Sequence, residues 1–331
     1  MCGLEWAPAS IPAKRRCQTC AVATSLALFP LYWILLFMIM MSGGGVFSFS
    51  IQKVILGVYL IWMVFFDWNT PLHGGRAVEW VRSFCLWHYS RNYFPSEMVV
   101  EEKLDAKEPH LISVHPHGII GVGVISNLAT NADGQCEALG EGFRFSILTV
   151  WINFVLPFWR DLVMGMGFVD ASRESVSYLL SHKRSVVVVV GGASEALHAA
   201  PGRVDLVLGR RKGFVRLALQ HGARLVPAFT FGENEAWDAV STEDGGCLRW
   251  LQKKFQAIFG FSTPIFYGRG IFQYSCGMLP YRRPLMLVLG KPIRLPKLPS
   301  PTKEQVNQYH AEYVKALRKL YDTHLEEYVR R

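Results

Sequence analysis

The sequence lacks the paired cysteine spacing of a disulfide-rich or zinc-binding protein. Its seven cysteines are odd in number and irregular in spacing, so no disulfide framework is expected. Cys17 and Cys20 form a single C-x-x-C without the second pair that a structural zinc site needs. They lie beside an apolar segment, where we expect thiols either to stay reduced or to be palmitoylated.

A nucleotide-binding loop is also missing. Gly121-Val122-Gly123 and Gly165-Met166-Gly167 both lack the third glycine in register, so no dinucleotide site is predicted. The formal net charge of +9 comes without a nucleic-acid recognition motif, so we expect no nucleic-acid partner. The basic balance instead favours a negatively charged membrane surface or an anionic substrate.

Charged residues are absent from Ala21–Met41. A run of that length is enough to span the hydrocarbon core of a membrane as a helix. Lys14, Arg15 and Arg16 precede it, which by the positive-inside rule predicts a cytosolic N-terminus. A cleaved signal peptide is the alternative, and the length of the run and the lack of a convincing cleavage site disfavour it.

A second apolar stretch follows the glycine-rich segment Ser42–Gly45. It runs from Val46 to Phe66 and is interrupted by Gln52 and Lys53. Together the two stretches predict a membrane hairpin that returns the chain to the cytosol. Its second leg is either a tilted span with Lys53 reaching the interface, or a re-entrant leg.

Beyond the hairpin, short apolar runs alternate with helical stretches. This pattern predicts an α/β domain with a mostly parallel sheet at residues 67–331, after a cytosolic tail at 1–20 and the hairpin at 21–66. The predicted strands are Leu111–Val114, Val186–Val190, Arg224–Phe229 and Leu285–Leu289. The predicted helices are Glu174–Ser181, Gly213–His221 and a last helix that begins at the capping box Thr302–Gln305.

An aromatic apolar run occupies residues 151–159 inside the α/β part. It is too short to span a membrane. Three interpretations stay open: it belongs to the core, it dips into the membrane face, or it lines a tunnel for a lipid chain.

Two histidines follow the first of these strands, in His115-Pro116-His117-Gly118. Ligands of α/β sheets bind at the carboxyl ends of strands. An imidazole there can act as a general base near neutral pH, and Gly118 would let a substrate approach the backbone. The structural alternative is a turn whose histidines cap backbone groups.

A glycine-rich acidic segment, Gly191-Gly192-Ala193-Ser194-Glu195, follows the valine strand. Glu195 is predicted to orient a histidine and to stabilise its protonated form. One alternative is a glutamate that simply lies in the first turn of a helix, where the helix dipole favours it. Another is a degenerate nucleophile elbow in which Ser194 serves a lipase-like hydrolase.

Three cations, Arg210, Arg211 and Lys212, precede Gly213 at a predicted helix start. Free amides and the helix dipole make such a start a plausible phosphate site. A solvated run of charge is the alternative interpretation.

The order of these segments resembles the glycerolipid acyltransferase superfamily. More specifically, it is similar to the diacylglycerol acyltransferase type 2 family, which includes monoacylglycerol and wax-alcohol acyltransferases. The resemblance runs from the hairpin to about Tyr321. The matching pieces are Phe66-Asp67-Trp68-Asn69-Thr70-Pro71, Gly74-Gly75-Arg76, Asn92-Tyr93-Phe94-Pro95, His115-Pro116-His117-Gly118, Arg160-Asp161, Val190-Gly191-Gly192-Ala193, Glu195-Ala196-Leu197, Arg211-Lys212-Gly213-Phe214-Val215 and Phe231-Gly232-Glu233-Asn234.

Within the family the likeness is greatest to the monoacylglycerol acyltransferases, on segments that include Gly268–Ser275 and Pro280–Pro284. The resemblance implies transfer of a fatty acyl group from coenzyme A to monoacylglycerol, with diacylglycerol or a fatty alcohol as other acceptors. It implies an endoplasmic reticulum membrane protein whose catalytic domain faces the cytosol, with lipid droplets as a further location. Acyl-CoA is then a substrate, and no cofactor or metal is expected. Homo-oligomerisation is left open.

The resemblance also implies roles for the motif residues. His117 is the expected general base, Glu195 its orienting acid and His115 a brace for the loop. Arg211, Lys212 and Gly213 are expected to bind coenzyme A. The remaining motif residues are expected to shape the substrate site: Pro116, Gly118, Gly191, Gly192, Asn92, Tyr93, Phe94 and Pro95.

One departure from the superfamily pattern concerns the acid. The wider superfamily places an Asp five residues after its histidine. Here that position holds Ile120 after His115 and Val122 after His117. The acid must come from elsewhere in the chain, and Glu195 is the candidate.

Overall fold

The structure is a computed structural model that describes residues 5–46, 48–197, 199–239, 254 and 265–331. The side chains of Ala193, Ser194 and Ala239 lie outside this description. The interpretation of Ser194 as a nucleophile therefore falls outside the described part of the molecule.

Two apolar helices open the chain, α1 (Ala13–Met41) and α2 (Ile51–Phe65). In the described residues, α1 is the one helix whose length and composition would let it cross a membrane, and α2 is shorter. Helix α1 begins at Ala13 and includes the basic residues Lys14, Arg15 and Arg16. The predicted start of the membrane segment, Ala21, therefore lies inside the helix. The tight turn of the predicted hairpin uses positive φ angles at Gly43, Gly44 and Gly45.

The described residues form the strands β1 (Ser96–Val100), β2 (His110–His115), β3 (Phe145–Thr149), β4 (Phe168–Asp170), β5 (Ser185–Val189), β6 (Arg224–Phe231), β7 (Asp238–Ala239), β8 (Phe266–Tyr267) and β9 (Leu285–Leu289). Seven of them make the main sheet, in the order β1-β9-β6-β2-β5-β3-β4. Every neighbouring pair is parallel except β6 and β9, so the predicted mostly parallel sheet is confirmed. A separate antiparallel pair joins β7 to β8.

The helices of the domain alternate with these strands. They are α3 (Glu79–Arg82), α4 (Cys85–Tyr93), α5 (Val122–Val124), α6 (Ile152–Val155), α7 (Trp159–Gly165), α8 (Arg173–Ser181), α9 (Gly192–Ala196), α10 (Gly213–His221) and α11 (Lys303–Val329). A π-helical turn at Ile125–Ala129 continues α5. Helix α10 ends at Gly222, whose φ of 65° is left-handed, as a glycine C-cap allows. The predicted capping box is present, with Thr302 and Gln305 bonding reciprocally at the start of α11.

The central strands are buried on both faces. Leu111 of β2 belongs to a core cluster with residues of α8, α10 and α11, whereas Ile112 belongs to a second cluster that includes Leu128 of the π-helical turn. Adjacent residues of a strand point to opposite faces, so the sheet separates two apolar layers. This double burial explains the nearly continuous apolar runs of β5 and β9.

The first part of α1 packs against the α/β domain. Val22 lies in a buried cluster with Tyr93 and Phe94. Arg282 donates a hydrogen bond to the Gln18 side-chain oxygen at 2.7 Å. The beginning of this helix is therefore held by protein contacts.

An ion network, buried at Asp67 and Arg160, joins the residues after α2 to those that follow the aromatic run at 151–159. The Arg160 side chain is fully buried and donates to both the carboxylate and the carbonyl oxygen of Asp67. Arg76 bridges the carboxylates of Asp67 and Asp161. The motifs that contain Asp67 and Arg160, far apart in sequence, meet here. A buried guanidinium requires a partner, and the Asp67 carboxylate provides it.

Candidate active site

The histidine motif and the glycine-rich acidic segment lie at one edge of the sheet. Strand β2 is parallel to its neighbours β5 and β6. The carboxyl ends of all three strands therefore meet at the edge where α/β proteins bind ligands. His117 follows β2 and Glu195 lies on α9, directly after β5.

His115 points into the core rather than toward solvent. It is 0% exposed. Its Nε2 lies 2.9 Å from the Tyr313 hydroxyl oxygen, which in turn lies 2.7 Å from Ser113 Oγ. Burial lowers the pKa of His115 to about 3, so its imidazole is neutral. His115 thus connects β2 to α11 through Tyr313, and its role in bracing the loop stays a prediction.

The His117 ring has its tautomer set by a single contact. Its Nδ1 lies 3.0 Å from the Gly118 carbonyl oxygen. A carbonyl only accepts hydrogen bonds, so Nδ1 carries the proton and Nε2 keeps a lone pair. Burial lowers the pKa of His117, and the Gly118 carbonyl partly opposes that shift. The ring is thus a neutral imidazole whose Nε2 keeps its lone pair.

Glu195 contacts the backbone of His117. Its Oε2 accepts from the His117 main-chain N at 3.1 Å, and its Oε1 accepts from Val207 N at 2.8 Å. Burial raises the pKa of Glu195, while these amides lower it. A Cβ on Gly191 would lie 1.8 Å from Glu195 Cδ, so only glycine leaves room for the carboxylate. In the structure this acid holds the histidine turn through its amide, not through the ring.

Glu233 is a second buried acid at the same loop, and sequence reasoning gave it no role. Its two carboxylate oxygens accept from Val122 N and Gly123 N, each at 2.7 Å. Burial raises its pKa to about 7. A Cβ on Gly118 would lie 2.5 Å from Glu233 Cγ. Two carboxylates therefore hold the two ends of the loop after β2. One feature of the sequence could have identified Glu233 as a site residue: its position in the motif Phe231–Asn234, just after the buried strand β6.

The basic segment lies at the same edge. Helix α10 leads into β6, which is parallel to β2, so the N-terminus of α10 faces the carboxyl edge of the sheet. Gly213 is the first residue of α10. Lys212 occupies the N-cap position without a capping side-chain hydrogen bond, and its ammonium donates to Asn307 Oδ1 at 2.7 Å. The exposed Arg211 acts on Glu195 by lowering its pKa through charge. Phosphate binding at this helix start stays a prediction.

The motif Asn92–Pro95 forms a packed corner. It ends α4 and turns into β1. Tyr93 is fully buried, and its hydroxyl donates to the carbonyl oxygen of Pro280. Tyr93 shares a core cluster with Ile119 and Val122. This motif therefore packs against the loop that follows His117.

Residues 46–330 match the family model described as diacylglycerol acyltransferase. Bovine 2-acylglycerol O-acyltransferase 1 is 41% identical over 334 residues, which cover 98% of this chain and 96% of that protein. Diacylglycerol O-acyltransferase 2B of Umbelopsis ramanniana is also 41% identical, covering 99% and 93%. Human diacylglycerol O-acyltransferase 2 is 41% identical over 302 residues, covering 89% and 77%.

One solved structure is a distant match. The crystal structure of the 1-acyl-sn-glycerophosphate acyltransferase of Thermotoga maritima covers 88% of this chain and 94% of its own, with a TM-score of 0.40 and 11% identity. So low a similarity supports no conclusion about this chain. The family model and the nearly full-length relatives do support one. The chain belongs to the diacylglycerol acyltransferase family.

Proposed function

We propose that this protein is an acyl-CoA-dependent O-acyltransferase of neutral-lipid synthesis, with monoacylglycerol as its principal acceptor. The observation that carries the proposal is the His117 ring at the carboxyl edge of the sheet, whose Nδ1 lies 3.0 Å from the Gly118 carbonyl oxygen. This contact leaves Nε2 with the lone pair that a general base needs. The names of the relatives, 2-acylglycerol and diacylglycerol O-acyltransferases, support the substrate class.

His117 Nε2 takes the proton of the acceptor hydroxyl while that oxygen attacks the thioester carbonyl of acyl-CoA. The tetrahedral intermediate then collapses with loss of the coenzyme A thiolate, and the ester is released. The thiolate takes the proton from the imidazolium. The alcohol attacks directly, so no acyl-enzyme forms. General-base catalysis of this kind contributes roughly 10²–10⁴-fold in rate.

Glu195 keeps the base in position by bonding to the His117 amide. Main-chain amides near Gly118 or at Gly191–Gly192 are proposed to stabilise the oxyanion, since donors fixed before the reaction cost no reorganisation. Arg211, Lys212 and the amide of Gly213 are proposed to bind the phosphates of coenzyme A, because they stand at a helix N-terminus.

The proposed location is the endoplasmic reticulum membrane, with the catalytic domain and both termini on the cytosolic side and lipid droplets as a further location. The basic residues at the start of α1 support this orientation by the positive-inside rule. Membrane lipid, acyl-CoA and the acylglycerol are the partners that the proposal requires.

The proposal is tested with purified protein, labelled oleoyl-CoA and three acceptors offered separately: 2-oleoylglycerol, dioleoylglycerol and hexadecanol. We expect labelled diacylglycerol as the main product. Faster wax-ester formation would assign the chain to fatty alcohols instead. Release of free oleate from acylglycerol without coenzyme A would support the serine hydrolase and contradict the transferase.

A further inference from the structure

The segment between α9 and α10 contributes to the site without regular structure of its own. Residues 203–207 form neither a helix nor a strand. The Val207 amide nevertheless donates to Glu195 Oε1 at 2.8 Å, and the same segment leads to Arg211 and Lys212 at the start of α10. A chain that lacks the repeating backbone bonds of a helix or strand is positioned by its other contacts. Those contacts therefore decide where the Val207 amide lies.

One such contact comes from His310 of α11. His310 Nε2 lies 3.1 Å from the carbonyl oxygen of Leu208, the residue after Val207. A carbonyl only accepts hydrogen bonds, so Nε2 carries the proton of this bond. His310 is 6% exposed, and its ring meets the Phe214 ring edge-on with the centroids 6.3 Å apart. This packing fixes the direction in which the ring donates.

The His310 imidazole is neutral at neutral pH. Burial lowers its pKa and the charge of Lys212 adds to the shift, while the Leu208 carbonyl opposes it. A neutral imidazole has one N–H group, and the bond to Leu208 uses it. The single donor of this ring is therefore committed to the segment that supports Glu195.

The same face of α11 reaches the histidine motif. Residues three positions apart on a helix lie on one side of it, as His310 and Tyr313 do. The Tyr313 hydroxyl contacts His115 Nε2 at 2.9 Å and Ser113 Oγ at 2.7 Å. Burial raises the pKa of this hydroxyl, Ser113 opposes the shift, and the charge of Glu195 adds to it. Helix α11 thus passes beside Glu195 and is joined to β2 through Tyr313.

A displaced segment would change the surroundings of the Glu195 carboxylate. Glu195 is 3% exposed, and its two oxygens accept from the amides of Val207 and His117. A buried acceptor that loses its donor costs free energy, and more so when it is charged. The carboxylate would then turn toward another donor or take up a proton. Either change weakens its bond to the His117 amide.

We propose that His310 is a positioning residue for the acyl transfer proposed above. Its bond to the Leu208 carbonyl places the adjacent Val207 amide against Glu195. Glu195 in turn orients the turn that carries His117. His310 touches none of the reacting atoms in this scheme, and it acts on the base through the backbone. The inference rests on the proposed function, because it takes His117 as the general base.

The test compares two amide side chains of different length. In His310→Gln the amide nitrogen can take the place of the imidazole Nε2 and keep the bond to Leu208. In His310→Asn the side chain is shorter by a methylene group, and its nitrogen reaches only the place of Nδ1. Both side chains are polar and uncharged, so the pair differs in this bond. His324→Asn is the matched control, because His324 lies on the same helix and contacts Glu101 instead.

We expect His310→Asn to lower kcat roughly tenfold to a hundredfold, because a small displacement of a catalytic group costs that much. The KM for 2-oleoylglycerol should stay near its wild-type value. His310→Gln should restore most of kcat, and His324→Asn should match wild type. All rates are expressed per folded protein. Equal kcat values in His310→Asn and His310→Gln would overturn the proposal.

A double-mutant cycle separates positioning from a general loss of folding. If His310 acts through Glu195, His310→Asn should lower kcat much less in a Glu195→Gln protein than in wild type, since residues of one network do not act additively. Losses that simply multiply would overturn the path through Glu195. Should His310→Asn fail to fold, Val207→Pro tests the same step by deleting the amide that Glu195 accepts. An unchanged kcat in Val207→Pro would equally overturn the proposal.

The wild type and His324→Asn distinguish this inference from the proposed function. If neither protein transfers the oleoyl group from oleoyl-CoA, the proposed function fails and the inference fails with it. If both transfer it and His310→Asn is as fast, the positioning role alone is wrong.

Discussion

The Glu195 carboxylate accepts a hydrogen bond from the main-chain N of His117 at 3.1 Å, whereas the His117 ring binds the Gly118 carbonyl at 3.0 Å. The acid and the imidazole are thus neighbours without sharing a side-chain hydrogen bond. This separation distinguishes the site from a triad in which the acid bonds to the ring, and it determines what substitutions should do.

His117→Ala should lower kcat by about two to four orders of magnitude, because it removes the general base. The Tm should change less than in His115→Ala, since the hydrogen bond that the ring makes in the described part of the chain is the local one to Gly118. Initial rates with saturating oleoyl-CoA and 2-oleoylglycerol measure the effect. His115→Ala is the comparison: it should lower the Tm, because it breaks a buried contact to Tyr313. An active His117→Ala enzyme would eliminate His117 as the base.

Glu195→Gln should reduce kcat by a smaller factor than His117→Ala. A glutamine offers one acceptor where the carboxylate serves the amides of both His117 and Val207, so the turn loses one of its two bonds. The shape of the kcat–pH profile should stay the same, because the ring keeps its own partner. Ser194→Ala is the matched control and should retain most activity. Loss of activity in Ser194→Ala beside an active His117→Ala would revive the hydrolase.

Glu233 should make stability depend on pH. Its folded-state pKa is raised to about 7 by burial, so the folded protein binds this proton more tightly than the unfolded chain. The stabilisation is complete below about pH 4.5 and is lost as pH rises through 7. Tm should therefore fall between pH 5 and 8, and Glu233→Gln should flatten that fall. Glu137→Gln, an exposed acid, should leave the profile unchanged. An identical slope in wild type and Glu233→Gln would contradict the assignment.

Removing the charges of Arg211 and Lys212 together should raise the KM for acyl-CoA more than the KM for 2-oleoylglycerol. The cations stand at the helix start where phosphate is favoured. The effect should shrink as salt is added, because screening weakens exposed charge interactions. Lys315→Ala with Arg318→Ala, on the exposed side of α11, controls for net charge. Equal changes in both KM values would exclude a specific coenzyme A contact.

Arg160→Ala should destabilise the protein by about 3–5 kcal/mol, because it leaves the buried Asp67 carboxylate with one fewer cation. The measurement is the loss of folded protein on heating in detergent micelles. Arg330→Ala removes an ion pair whose side chains are 79% and 82% exposed and should change little, as surface pairs contribute only about 0–1 kcal/mol. A Tm for Arg160→Ala equal to that of wild type would show that the network is dispensable.

Local sequence patterns determined much of the fold. Leu285–Leu289 and Gly213–His221 have the bounds that their apolar patterns predict. Thr302 and Gln305 form the expected capping box. These features depend on residues within a few positions of each other, so all the interacting residues lie in one short stretch of sequence. Short or partly exposed strands such as β1 and β4 carry too few buried positions to show a period, and their patterns predicted nothing.

The contacts of the site were decided by tertiary structure. The sequence placed His117 and Glu195 at the ends of buried strands, but whether an acid reaches a ring or an amide depends on side-chain positions across 78 residues of chain. Glu233 meets Val122 and Gly123 only because β6 lies beside β2.

In the membrane segment, too, some properties follow from the sequence and others from the tertiary structure. Hydropathy alone identified Ala21–Met41 as long enough to span a bilayer, because hydropathy counts apolar residues without knowing what they touch. Val22 shares a buried cluster with Tyr93 and Phe94, which lie at the end of α4, far along the chain. The sequence by itself determined that the segment is apolar and helical. Only the folded domain decided which part of it is left for lipid, since packing between distant segments takes surface away from the membrane.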